Sequence, residues 1–223
     1  MDTGSFLGLL NNAILLLALS VIYEGVGLNE LANRRLREVL SGVLVGVIGI
    51  AVMLTPWELS PGIFFDTRWV LTSICGLFFG WLPTLIAGVI LVLFRLLQGG
   101  DGAVFGSLVI IATSLVGLGW RYLIQHRNWP TGWIQLYLFG ITIQFVTLAC
   151  MMFMPDNIRW TIIRTVGPPM LLVFPVVTLL LGLALRRQDL LRLAHDEIRF
   201  KNTVLSTQQE ASEDGILAVD NEG

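Results

Sequence analysis

Residues 76–87 read GLFFGWLPTLIA, and this stretch decides how often the chain crosses a membrane. It joins two short apolar runs, 69–80 and 82–97, which meet at a glycine and a proline. One interpretation is a single long helix that is kinked at Pro83, because proline disrupts the interior of a helix. The other is a tight hairpin of two short helices. The rest of the chain decides between these two arrangements.

The composition is that of a polytopic membrane protein. Of the 223 residues, 55% are hydrophobic and 13% are charged, whereas soluble domains average about 45–50% apolar and about 25% charged residues. A single lysine and the lack of a basic stripe argue against a nucleic-acid partner. Because a helix needs about 20 apolar residues to cross a bilayer, the candidate spans are the runs 6–23, 39–57, 69–80, 82–97, 104–124, 132–154 and 166–185.

Three short basic connections decide the topology. They are NRRLRE at 33–38, WRYLIQHR at 120–127 and LRRQDLLR at 185–192. Since short cytoplasmic loops carry an excess of arginine and lysine, all three belong on the cytoplasmic side, which requires that runs 69–80 and 82–97 cross separately. We therefore predict an all-α membrane protein with seven transmembrane helices, its N-terminus outside, its C-terminus inside and a short helical hairpin at 69–97. A re-entrant hairpin that does not cross fully is the alternative.

Charged residues that are far apart in sequence converge on the predicted outer face. An ionisable group at membrane depth is by default a candidate functional site, and the alternative is a set of interfacial arginines that only anchor the helices. Arg95 either extends outward or pairs with Asp66 or Asp101. The candidate sensing or switch residues are Glu58, Asp66, Arg68, Arg95 and Asp101. Beside Arg95, three glycines free the backbone for a tight turn or a close approach: Gly99, Gly100 and Gly102.

The residues after 185 have a soluble composition. Leu191, Ile198 and Leu205 recur every seven residues, which predicts a weak coiled coil over 186–209 that pairs with a second copy. The end, SEDGILAVDNEG at 212–223, predicts a turn, a strand at 216–219 and a second turn. A lone strand is not stable, so we expect this region to be the truncated start of a further soluble domain.

Between residues 38 and 121 the chain resembles the membrane sensor region of the LytS family, the five-transmembrane receptor module of bacterial sensor histidine kinases. The blocks PGIFFDTR, GLFFGWLPTLIA and RLLQGGDG follow that family's pattern in order and spacing. The resemblance implies that Asp66, Arg68, Arg95 and the glycines of 99–102 belong to the signature of the module, and it leaves the ligand open. The stretch 203–223 resembles the start of a PAS domain, whereas LytS-type kinases carry a GAF domain there.

The patterns and the two resemblances together predict the N-terminal membrane sensor region of a bacterial two-component histidine kinase in the inner membrane. A diguanylate cyclase sensor is the alternative, and a small transporter is a distant one, since the spans show no paired broken helices or internal repeat. We assign no catalytic residue and no metal ligand, and expect ATP and magnesium only in the missing kinase part. The expected partners are a second copy, a response regulator, an unknown small ligand and the bilayer.

The expected domain organisation has four parts. Residues 1–37 form the first span and a cytoplasmic loop, and 38–185 form the sensor module. Residues 186–209 form the cytoplasmic signalling helix, and 210–223 begin the α/β PAS domain.

Overall fold

The computed structural model describes residues 33–54, 57–60, 63–65, 67–100, 102–127, 129, 132–153 and 156–220. Within these ranges the fold is helical, apart from one two-stranded antiparallel hairpin. The elements in chain order are α1 (Arg34–Leu54), β1 (Trp57–Ser60), β2 (Ile63–Phe65), α2 (Arg68–Phe78), α3 (Trp81–Gln98), α4 (Ala103–Arg127), α5 (Trp133–Met151) and α6 (Asp156–Asp220).

Five of the described helices are long and apolar enough to cross a membrane. They are α1, α3, α4, α5 and the segment Met170–Gln188 of α6. Helix α2 has 11 residues, which is about 16 Å of helix against about 30 Å of hydrocarbon. The predicted polytopic helical class is therefore confirmed. Of the seven predicted spans, the run 6–23 lies outside the described residues, and the run 69–80 forms the short helix α2.

The stretch around Gly80 forms a helical hairpin, and the single kinked helix is wrong. Gly80 has a φ of 90°, a conformation that glycine adopts far more readily than other residues. It ends the connection after α2 and is the N-cap of α3. Pro83 lies in the first turn of α3, where its missing N–H removes no helical hydrogen bond. Thr84 Oγ1 donates to the Gly80 carbonyl oxygen at 2.6 Å, which tightens the same turn.

Glycines set the close packing of α1 against α3. A Cβ at Gly42 would lie 2.8 Å from the Pro83 carbonyl oxygen, and a Cβ at Gly46 would lie 2.8 Å from Ile90 Cδ1. Because successive glycines of α1 meet successive residues of α3, the two helices run in the same direction. Small residues allow this approach, as they commonly do between membrane helices.

Helices α2 and α4 also run in the same direction and are in close contact. A Cβ at Gly117 would overlap the Ser73 carbonyl oxygen, and Thr72 Oγ1 lies 3.0 Å from Thr113 Oγ1. The bundle accordingly has two ends. We call the start of α1, the α2–α3 connection and the last turns of α4 the basic end, and the opposite one, next to β1–β2, the hairpin end.

The chain divides into two compact units, Met1–Ala184 and Leu185–Gly223. In the second unit, helix α6 continues to Asp220, so the strand predicted at 216–219 is wrong for this structure. A strand needs a partner for its hydrogen bonds, whereas a helix makes its bonds locally. The side chains of the predicted seam are exposed, at 59% for Leu191, 57% for Ile198 and 57% for Leu205.

Candidate functional site: a buried arginine pair

Two arginines are buried at the hairpin end of the bundle. Arg68 is the first residue of α2 and Arg95 lies in the last turn of α3. Their exposed fractions are 6% and 8%. Arg95 Nη1 donates to Gln98 Oε1 at 3.2 Å. Arg95 is therefore enclosed by protein, and the predicted alternative in which it extends outward is wrong.

The two guanidinium groups converge on one backbone position of α4. A Cβ at Gly106 would lie 2.8 Å from Arg95 Nε and 3.3 Å from Arg68 Nη2. One turn earlier, a Cβ at Gly102 would lie 3.1 Å from Arg95 Nη2. Both glycines thus leave the space that the arginines occupy, and α2, α3 and α4 meet at this cluster, which we call the arginine pair.

Gly99 and Gly100 have a different role from Gly102. Their φ values are 69° and 84°, in the region that glycine favours, and they form the turn between α3 and α4. No described atom lies within 4 Å of a Cβ added at either residue. The close approach to a side chain is made at Gly102, while Gly99 and Gly100 supply the tight turn.

The structure brings together only part of the predicted cluster. Arg68, Arg95 and Gly102 lie side by side. Glu58 lies in β1 opposite Phe64 in the hairpin register, and the description does not extend to its side chain. Asp66 and Asp101 lie outside the described residues, so the pairing of Arg95 with one of them stays a prediction.

The chemistry that this arrangement supports is binding of an anionic group. A buried charge is costly unless a group of opposite charge compensates it. Two neighbouring guanidinium groups therefore need more negative charge beside them than one does. Each planar guanidinium group can donate two parallel N–H hydrogen bonds to the two oxygens of a carboxylate or another oxyanion. The compensating group is either a carboxylate of the chain or one supplied by a ligand. Among the described residues, no group of three or more histidines, cysteines or acids is placed to hold a metal ion.

The residues predicted from sequence do not include Gly106. The last predicted glycine is Gly102, where the Gly-rich turn ends, although the two glycines are four residues apart and so share one face of α4. That spacing was the available signal. It does not show which side chains meet the face, because glycine pairs at this spacing are common in membrane helices for packing alone.

The fold and the site define a multi-pass helical membrane protein with a polar cluster enclosed between its helices. The family model described as 5TMR of 5TMR-LYT matches residues 21–188, which is more than half of the chain. The chain belongs to this family and carries a LytS-type five-transmembrane sensor domain. No curated protein and no solved structure matches the chain.

Proposed function

We propose that this chain is the N-terminal membrane sensor region of a bacterial two-component histidine kinase, which transmits an extracellular or intramembrane signal to a cytoplasmic PAS and kinase output. The observation that carries the proposal is the convergence of Arg68 and Arg95 on Gly106, which links three helices at one charged cluster. A change in the anionic group at such a cluster changes the packing of all three helices at once. Membership in the 5TMR-LYT family supports the sensor role.

The contacts of α2 with its neighbours indicate at which end of the bundle Arg68 lies. At the basic end, Arg121 Nη1 donates to the carbonyl oxygens of Leu77 and Phe78, at 3.0 and 2.7 Å, so α2 ends beside the last turns of α4. At the other end of α2, Arg68 lies beside Arg95 in the last turn of α3 and beside Gly106 in the first turn of α4. We propose that the arginine pair lies near the outer edge of the membrane, where a buried ionisable group is a candidate functional site.

The orientation we propose has the N-terminus outside and the C-terminus inside. It places the basic end in the cytoplasm, as the excess of arginine in short cytoplasmic loops requires. In this arrangement the run 6–23 is the first of seven spans. Helix α2 is the short third span, and the hairpin β1–β2, which precedes it in the chain, lies on the outer side. The arginine pair then lies towards the outer side.

The output route we propose follows helix α6. This single helix contains the candidate span Met170–Gln188 and continues to Asp220. A coupling of about 1–3 kcal/mol between the arginine pair and this helix would change the output several-fold or more. A response regulator, ATP and magnesium belong to the proposed kinase part, and a diguanylate cyclase is the competing output.

The kinase assignment is tested by reading the gene beyond codon 223. We expect a complete PAS domain, followed by a phosphoacceptor histidine box and ATP-binding boxes. A GG-(D/E)-E-F motif in their place would move the output to cyclic di-GMP and contradict the kinase while sparing the sensor. A stop codon directly after Gly223 would contradict both outputs.

Cysteine crosslinking tests the proposed pairing of two copies through the signalling helix. Leu191, Ile198 and Leu205 expose more than half of their surface, and a second copy would cover this seam. We expect Ile198→Cys to form a disulfide-linked dimer in oxidised membranes. Thr203→Cys is the matched control, because Thr203 is also exposed and points to the far side of the same helix. Equal crosslinking at both positions would show random collision and contradict the seam.

A further inference from the structure

The basic end contains a cavity that the proposed sensor site does not use. Its volume is about 600 Å³, and it lies between the start of α1, the α2–α3 connection and the end of α4. Basic and aromatic side chains dominate its lining, among them Arg34, Arg35, Phe79, Trp81, Arg121 and Tyr122. We call it the basic cavity.

The basic cavity carries a net positive charge. Glu38 also lines it and forms an ion pair with Arg34, Nε to Oε1, at 2.9 Å, so this pair is neutral. Arg35 and Arg121 remain. Arg35 is exposed, and the hydrogen bonds of Arg121 Nη1 go to main-chain carbonyl oxygens, which leave the full charge of its guanidinium uncancelled.

The start of α3 adds to the attraction for an anion. Helix α3 begins at this cavity with Gly80 as its N-cap, and a glycine has no side chain to accept the N–H groups of the first turn. The positive end of the helix dipole points the same way. A Cβ at Gly80 would lie 3.7 Å from Arg121 Cζ, so the guanidinium lies beside these donors.

An apolar groove continues directly from the basic cavity. Its volume is about 500 Å³, it runs between α3 and α4, and it shares Trp81 and Leu118 with the basic cavity. Further along it is lined almost entirely by aliphatic side chains, such as Leu85, Val92 and Ile111. At Gly88 no described atom lies within 4 Å of an added Cβ, so the described residues leave the groove open there.

We propose that the basic cavity and the groove together bind one anionic phospholipid, with its phosphate at Arg35 and Arg121 and one acyl chain between α3 and α4. Charge complementarity selects an anionic headgroup, and the apolar groove that opens from the same cavity selects a lipid over a soluble phosphate. Basic pockets between membrane helices are known to hold anionic headgroups. The site requires only that the helices span a bilayer, and it is independent of the signal and of the kinase output.

The bound lipid would also stabilise the connection between the two halves of the helical hairpin. Its phosphate would contact Arg121, which holds the last carbonyl groups of α2, and the first turn of α3. A ligand that binds the folded state raises its stability according to its concentration relative to the dissociation constant. Thermal stability in detergent should therefore rise with anionic lipid and stay unchanged with a zwitterionic one.

Native mass spectrometry of the purified chain in detergent, with phosphatidylglycerol or phosphatidylcholine added, tests the site. We expect selective retention of phosphatidylglycerol, and a loss of affinity of about fivefold for Arg35→Gln or Arg121→Gln, the value expected for removing one basic residue near an anionic surface. Arg35 is exposed, so Arg35→Gln tests the charge even if Arg121→Gln folds poorly. Arg127→Gln is the control, since Arg127 is exposed and stacks over Trp129, outside the cavity.

Gly88→Leu separates a lipid site from a simple anion site. This substitution fills the groove without changing any charge, and we expect it to weaken retention of phosphatidylglycerol several-fold. Inorganic phosphate at millimolar concentration should not displace the lipid. If Gly88→Leu has no effect and phosphate competes, the site binds a soluble anion and the lipid proposal is overturned. It is equally overturned if Arg127→Gln weakens binding as much as Arg35→Gln.

Discussion

Replacing Arg95 with alanine is expected to move the basal output of the sensor several-fold towards its level in the presence of the signal, while the chain still inserts in the membrane. The guanidinium of Arg95 is buried and meets that of Arg68 beside Gly106. The anionic group that compensates the arginine pair would lose one of its two cationic partners, and breaking a buried ion pair in this way costs about 3–5 kcal/mol. This exceeds the coupling of about 1–3 kcal/mol that a typical allosteric change requires.

Two measurements report this effect. One is phosphorylation of the complete gene product in membrane vesicles, and the other is the rate of Ile198→Cys crosslinking, which follows the signalling helix directly. Arg95→Lys keeps the charge and loses the planar fork, so it should give an intermediate basal output. Arg127→Ala removes an exposed arginine elsewhere and serves as the control.

The anchoring interpretation makes the opposite prediction. If the arginines only hold the helices in place, Arg68→Ala and Arg95→Ala should lower thermal stability without changing the output or its response to the signal. That result in both variants would contradict the sensing role of the arginine pair.

Hydropathy and arginine placement were sufficient to predict the helical hairpin around Gly80. The short run 69–80 also predicted the short length of α2. Its partners could not be predicted in the same way, because an apolar run records contact with lipid and contact with protein alike. The segment 216–219 shows the converse limit. Four apolar residues between turn-forming ones suggest a strand, but without a partner strand the local hydrogen bonds of α6 prevail.

The charged residues of the candidate site could be predicted from sequence, whereas the glycine against which they pack could not. Arg68 and Arg95 are conspicuous in sequence because charges interrupt apolar runs only at a cost. Gly106 is one of many small residues in membrane helices, and only the packing of α2 and α3 against α4 shows that two guanidinium groups meet it. The sequence predicts the three glycines as one group, and only the three-dimensional arrangement distinguishes the conformational role of Gly99 from the packing role of Gly102.

Replacing Gly106 with leucine is expected to move the basal output towards its level in the presence of the signal by as much as Arg95→Ala does. Even a Cβ at this position would lie 2.8 Å from Arg95 Nε, so the larger side chain forces the two guanidinium groups apart. Overpacking of a close contact typically costs about 1–3 kcal/mol. Gly119→Leu is the matched control on the same helix, because no described atom lies within 4 Å of a Cβ added there, and it should leave the basal output unchanged.

A double-mutant cycle shows whether Gly106 acts through the arginine pair. Once Arg95 is alanine, the space beside Gly106 is partly vacated, so Gly106→Leu should add little to the effect of Arg95→Ala on output. Residues in contact give such non-additive effects, whereas distant and independent ones add. If Gly106→Leu instead shifts the output equally in both backgrounds, the glycine acts through the general packing of α4. The close approach at Gly106 would then give no support for a sensing role of the arginine pair over an anchoring role.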